Sequence, residues 1–224
     1  MKQLYFVVLL LSTQLFSQEQ VTKVLGDFSE LKVYDLINME VIKSDENKII
    51  ISGENKNDVS VIQRNNKLKI RMKLNKMFDG KNTHIKLYYT SLSKIDANEG
   101  VKIRVKNTIK QYEIILKAQE GAQITAAVDT KLLTIKSVTG AVVKTTGQTT
   151  KLNLSLRTGA IYEGSETETQ NSSIFIKAGG EASVKTTNVL EVKIFSGGDV
   201  FVYGTPKQLK QNKLFGGRII FKDK

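Results

Sequence analysis

The sequence predicts an all-β chain wound as a parallel β-helix, a solenoid with coils of about 20 residues. Three observations lead there. A glycine-centred turn recurs seven times at nearly constant spacing. Apolar and polar residues alternate strictly between the turns. Glycine interrupts the chain too often for runs of helical period.

The turns are Glu99-Gly100-Val101, Glu120-Gly121-Ala122, Thr139-Gly140-Ala141, Thr158-Gly159-Ala160, Gly179-Gly180-Glu181, Gly197-Gly198-Asp199 and Gly216-Gly217-Arg218. Gly100, Gly121, Gly140, Gly159, Gly180, Gly198 and Gly217 are separated by 21, 19, 19, 21, 18 and 19 residues. Glycine suits a corner because it accepts positive φ and lets coils approach closely. A second register runs beside them. Ile95, Leu116, Ile135, Leu154, Ile176 and Ile194 are each followed six positions later by Val101, Ala122, Ala141, Ala160, Ala182 and Val200. Stacked coils require this, since inward side chains must lie above one another while corners adjust. The clearest repeats cover residues 92–221.

Strands fill the intervals. Val101–Lys106, Leu152–Leu156 and Leu190–Ile194 alternate with period two and are rich in branched residues. Twenty residues are too few for two strands and a helix, and enough for two or three short strands with their corners. A sandwich of antiparallel hairpins also uses short, evenly spaced strands. It gives no reason for the same motif to recur at a fixed separation.

The first half is the same material with a fainter repeat: Leu31–Val33, Met39–Val41, Ile49–Ile51, Val59–Val61, Leu68–Leu74 and Ile85–Leu87 alternate. Asn75–Asn82 reads as the longest polar excursion and predicts a projecting loop. Ahead of this lies an address. Met1-Lys2-Gln3 is a basic start, Leu4–Leu11 an apolar run too short to span a bilayer, and Ser12–Gln18 a short, mostly polar stretch. This predicts a signal peptide over 1–17, cleaved after Ser17, and one solenoid domain over 18–224. The protein is then exported, to the periplasm, the outer surface or the medium. No Cys follows the apolar run, so a lipoprotein anchor is excluded.

Asp27–Val33, then Val41, Ile49–Gly53 and the Glu-Gly and Thr-Gly-Ala turns, resemble the head GIN domain family. These are exported Bacteroidetes proteins labelled auto-transporter adhesins, a domain of unknown function. The likeness runs from about Leu25 to Lys207. It implies a right-handed β-helix in the cell envelope and no established activity. The Gly216–Lys222 end leaves no room for the membrane barrel of an autotransporter, so display would need another carrier.

Chemistry is sparse. The absence of Cys excludes disulfides, thiolate metal sites and a cysteine nucleophile, and a single His excludes two- and three-His metal sites. His84 lies on the polar side of its strand with no Gly-x-Ser-x-Gly elbow nearby. Asp96 and Glu99 are the nearest thing to a catalytic carboxylate pair, and polar corner residues explain them equally well. The glycines precede no helix and no Gly-Lys-Ser/Thr, so they cradle no phosphate. No cofactor, metal or catalytic residue is implied.

What remains is charge, +12 over the chain. Lys67, Lys69, Arg71 and Lys73 point to one side of one strand, and Lys102, Arg104 and Lys106 to one side of another. Lys117, Lys136 and Lys177 each follow an inward residue and are expected in one column, interrupted by Ser155. Such ladders suit repeating anions. An exported protein rarely meets nucleic acid, so acidic glycans, lipopolysaccharide phosphates, another envelope polymer or a protein partner are expected. Tyr162, Phe175, Phe195 and Tyr203 are expected to be exposed and able to stack on sugars. The reading is a non-enzymatic interaction module, adhesin-like. Its first alternative is a self-associating structural envelope protein, against which Asp27–Glu30 and Lys222–Lys224 read as polar caps on the open ends. The lesser one is a polysaccharide-active enzyme.

Overall fold

The computed structural model describes residues 20–222; the signal-peptide segment 1–17 lies outside them. Seventeen strands form one continuous sheet system wound into a β-solenoid of about seven turns. In chain order they are β1 (Val21–Val24), β2 (Glu30–Val33), β3 (Asn38–Lys43), β4 (Lys48–Gly53), β5 (Val59–Arg64), β6 (Lys67–Met72), β7 (Thr83–Tyr89), β8 (Lys94–Ala97) and β9 (Lys102–Val105). Then follow β10 (Ile109–Gln119), β11 (Gln123–Val138), β12 (Val142–Arg157), β13 (Ala160–Ile176), β14 (Gly180–Ser196), β15 (Asp199–Val202), β16 (Gln208–Phe215) and β17 (Arg218–Phe221).

From β10 onward each coil lies parallel on the next. The inward column runs Ile95, Leu116, Ile135, Leu154, Ile174, Val192, all buried. The six-residue spacing holds, but the column does not pass through Ile176. Ile176 stacks on Leu156, one inward step further along. β13 carries one residue more than β12 between Glu163 and Glu166, opposite Lys144–Thr146, and its ladder to β14 is irregular around Gly164–Glu168. The extra residue is absorbed as a bulge, so the strand buries the same face on either side of it.

The corner ladder fixes the glycine column. The N–H groups of Gly100, Gly121, Gly140, Gly159, Gly179 and Gly197 donate to the carbonyls of Glu120, Thr139, Thr158, Ala178, Ser196 and Phe215. The partners stacked under Gly159 are therefore Gly179, Gly197 and Gly216, not Gly180, Gly198 and Gly217. The second set stands one place later, also at positive φ. The corners change type accordingly. In the first four, a Glu or Thr before the glycine takes φ of 52° to 56°; in the last three, both positive-φ positions are glycines and that strain is relieved.

The N-terminal part is not a plain continuation of the stack. β2 and β3 form a coil whose neighbours are β6 and β7 on one side and β8 and β9 on the other, all parallel. The chain leaves this coil, builds the outer layer, and returns beneath it. β4 pairs antiparallel with β1 and β7, and β5 with β6. Asp27–Glu30 is thus no terminal cap: Phe28 is buried and Glu30 lies in a strand paired on both sides.

The interior is also less apolar than the alternation predicts. Thr130, Thr145, Thr149, Thr167, Thr169, Ser172 and Thr186 are buried and hydrogen-bond one another between coils. Tyr162 joins them. It is 1% exposed, against the expectation of a surface ring, and its hydroxyl meets Thr145 Oγ1 at 2.9 Å. Its ring fills the space a Cβ on Gly164 would need. Burial pushes the phenol pKa up to about 12.

Candidate functional site

Each coil presents two sides around its glycine corner. The first is built from β6, β2, β8 and the C-terminal parts of β10 to β14; the second from β7, β3, β9 and the N-terminal parts of β11 to β14. The two predicted basic strands fall on different sides. Lys67, Lys69 and Arg71 belong to β6, with Lys73 just beyond it, and Lys102 and Arg104 to β9, with Lys106 just beyond.

On the second side the charge is diluted. Lys102 stands between Asn38 and Gln123, and Arg104 between Glu40 and Thr125, around a shallow groove of about 220 Å³. Lys106 is paired to Glu40 at 3.2 Å.

On the first side the charge accumulates. One outward column reads Lys69, Lys32, Asp96, Lys117, Lys136, Ser155, Phe175, Lys193. Phe175 takes the place expected for Lys177, because Ile174 and not Ile176 lies on Leu154. Lys67, Arg71 and Lys94 lie alongside. Neighbouring strands are about 4.8 Å apart, so the cations are near enough to act together. Two carboxylates hold them in place. Glu30 bridges Lys67 and Lys94, each at 3.5 Å. Asp96, 4% exposed, takes Lys117 at 3.3 Å and Lys32 at 4.0 Å, and accepts from Asn98 at 3.2 Å. Asp96 is therefore paired with two ammonium groups and walled in. Its expected partner Glu99 is pushed above the usual carboxylate range by burial and by Asp35.

Tyr34 completes the patch. The ammonium groups of Lys32 and Lys69 sit 5.1 and 5.0 Å from its ring centroid, a cation–π arrangement on both strands. Burial pulls the Lys32 pKa down, but a hydrogen bond to Tyr34 and the Asp96 charge more than offset this and hold it above the ordinary value. The patch thus carries seven cations (Lys32, Lys67, Lys69, Arg71, Lys94, Lys117 and Lys136) with two carboxylates among them. Lys32 and Lys94 were not singled out from sequence. Lys32 meets β6 across 37 residues of chain and Lys94 meets β2 across 64, which leaves no local signal.

Of the other predicted site residues, His84 is exposed opposite the buried Ile85 and Leu87. Phe175, Phe195 and Tyr203 are partly exposed. Among the described residues no cluster of three or more His, Asp or Glu side chains could hold a metal ion. Nor is any helix among them long and apolar enough to cross a membrane.

The fold is shared with solved structures of low sequence identity. A putative adhesin from Bacteroides fragilis is 15% identical, with a TM-score of 0.82 over 92% of this chain and 98% of that one. A putative adhesin from Parabacteroides merdae is 15% identical, with a TM-score of 0.71 over 91% and 95%. A putative lipid binding protein from Parabacteroides distasonis is 14% identical, with a TM-score of 0.69 over 91% and 96%. No curated protein matches. A family model does match, over residues 27–206, and its span takes in the interleaved N-terminal coil as well as the glycine-cornered stack: the chain belongs to the family described as "putative auto-transporter adhesin, head GIN domain".

Proposed function

We propose that the protein is an exported, non-enzymatic binding module whose first side grips an anionic polymer of the envelope or its surroundings. The observation that carries this is the column Lys69–Lys32–Asp96–Lys117–Lys136 with Lys67, Arg71 and Lys94 beside it. A rigid sheet repeats positive charge at strand spacing, and a polymer repeats negative charge along its length. Many weak contacts then add up. The family's adhesin description and the sequence pattern of residues 1–17 support the same reading. Acidic polysaccharide is the favoured class, because the patch is a flat face suited to a chain and not an enclosed pocket suited to a small molecule.

The test is binding of the chain to an acidic polysaccharide such as alginate at rising salt. Affinity is expected to fall steeply with salt. The K32E/K69E/K117E variant is expected to lose about tenfold or more, and K102E/R104E, on the other side, little. Equal losses from the two variants, or binding indifferent to salt, would overturn the assignment.

A further inference from the structure

We propose a second interaction site, separate from the basic side: the loop joining β6 to β7, residues 73–81, inserts into the headgroup layer of an anionic lipid bilayer. The sequence reads this segment as a polar excursion. The structure shows otherwise. Leu74 is 77% exposed, Phe78 55% and Met77 43%, so one short connection holds three large apolar side chains in water. Lys73 and Lys76 lie among them, with Lys81 at the far end of the loop.

The loop is held in shape. Asp35, 1% exposed, accepts the Met72 N–H at Oδ2 (2.9 Å) and the Phe78 N–H at Oδ1 (3.2 Å). Asn55 donates to the Asp79 carbonyl at 2.8 Å, and Asn38 to that of Lys81 at 2.7 Å. Gly80 is pressed so close to the Asp35 carbonyl that a Cβ would lie 2.1 Å from it. Phe78 itself takes φ of 62°, a strained conformation for an aromatic residue. A buried carboxylate is thus used to hold a strained phenylalanine outward, with more than half of its surface open to water.

Size decides between occupants. Three side chains on one loop fall far short of the roughly 800 Å² a side that a stable protein interface buries. A bilayer interface needs no matching surface. It takes apolar groups to a depth of about 5–10 Å while lysines at that level meet lipid phosphates. The ion pairs Lys73–Asp58 (3.3 Å) and Lys76–Asp79 (3.5 Å) are exposed, so both lysines can exchange partners at little cost.

The chain has no Trp, so Phe78→Trp gives a single fluorescent reporter. With vesicles of phosphatidylcholine containing about 30% phosphatidylglycerol, the F78W emission is expected to shift to the blue and to be quenched by brominated acyl chains. In parallel, co-sedimentation of the unaltered chain is expected to exceed that of L74S/M77S by about tenfold or more. Four results would overturn the proposal: no vesicle binding; binding that L74S/M77S leaves unchanged; equal binding to pure phosphatidylcholine; or an F78W shift produced by dissolved alginate and not by vesicles. The K32E/K69E/K117E variant keeps the loop intact, so loss of polymer binding and loss of insertion are scored separately.

Discussion

Between Leu116 and Val192 each inward residue lies on one 18 to 20 residues away, the preceding coil in sequence. Between residues 30 and 105 the same kind of contact joins positions much further apart. Leu31 touches Leu68 and Ile95 in neighbouring strands, and Met39 touches Ile85 and Ile103. Both regions are strands around an apolar centre. The C-terminal stack is held by repetition, and any coil resembles the next. The N-terminal region is held by individual fits: Asp35 beneath its loop, Gly53 against Asn82, and Asn47, whose side chain takes the Thr90 N–H and donates to Asp27. Long closures cost entropy before contacts reward it, so the interleaved part depends more on each such fit.

Glycine substitutions expose this difference most strongly. A Cβ on Gly53 would stand 2.0 Å from the Asn82 carbonyl oxygen, at φ of 101°. One on Gly140 would meet nothing within 4 Å, at φ of 67°. Gly53→Ala is expected to cost more than about 3 kcal/mol, because backbone must move. Gly140→Ala is expected to cost about 1 kcal/mol, the left-handed penalty alone. Gly147→Ala is the internal control: it lies in the stack but faces Val128 O at 2.2 Å, and should behave like Gly53. Urea denaturation followed by circular dichroism ranks the three. If Gly140 proves as costly as Gly53, close approach is not what separates an individual fit from a repeating corner.

The second effect belongs to the stack. Tyr162→Phe removes the hydroxyl bonded to Thr145 but leaves Thr145 its bond to Thr167 at 2.7 Å. Near neutral pH the loss should be about 1 kcal/mol. At high pH the sign reverses. The folded phenol pKa, pushed up to about 12, lies above the unfolded value near 10. The folded state therefore binds the proton more tightly, and stability falls as pH rises between those values. Wild type is expected to lose about 2 kcal/mol relative to Y162F across that window, measured as the difference between their denaturation midpoints from pH 9 to 12. A constant difference would mean that water reaches the ring.

These contrasts also explain what the sequence could show. The glycine and apolar spacing is local, and it revealed the solenoid, the strands and their buried faces. It misplaced Gly180, Gly198 and Gly217 by one position, because either glycine of a Gly-Gly pair suits a corner, and Ile176 and Ile194 by one inward step, because a shift of two along a strand leaves the alternation unchanged. The threonine seam was illegible for a related reason: Thr on a strand reads as a surface residue, and only the neighbouring coil supplies its hydroxyl partner. Of the basic patch, Lys67, Lys69 and Arg71 were visible as alternation and Lys117 and Lys136 as a repeat. That they meet on one side, through Lys32 and Lys94, depends on β2 being gripped between strands distant in sequence.

The smallest effect on stability is expected at the last coil, where the comparison bears on self-association. At the N-terminal end the outer strands turn antiparallel, which breaks the pattern a second solenoid would have to match. β16 stays parallel to β14, and its register places Leu209, Gln211 and Lys213 beneath the buried Leu190, Val192 and Ile194. Two of those three inward positions are polar, one of them charged, so an incoming strand would have to bury an amide and an ammonium. This opposes end-to-end stacking more directly than Asp27–Glu30, which lies inside the fold. Q211V/K213I restores the apolar column while leaving the exposed backbone as it is. Its folding stability should change by less than about 1 kcal/mol, since these positions stay open to water. Its mass by light scattering should rise with concentration where the unaltered chain remains monomeric. If the unaltered chain already assembles at the same concentrations, the two polar residues are no barrier, and the structural role in the envelope becomes the better reading.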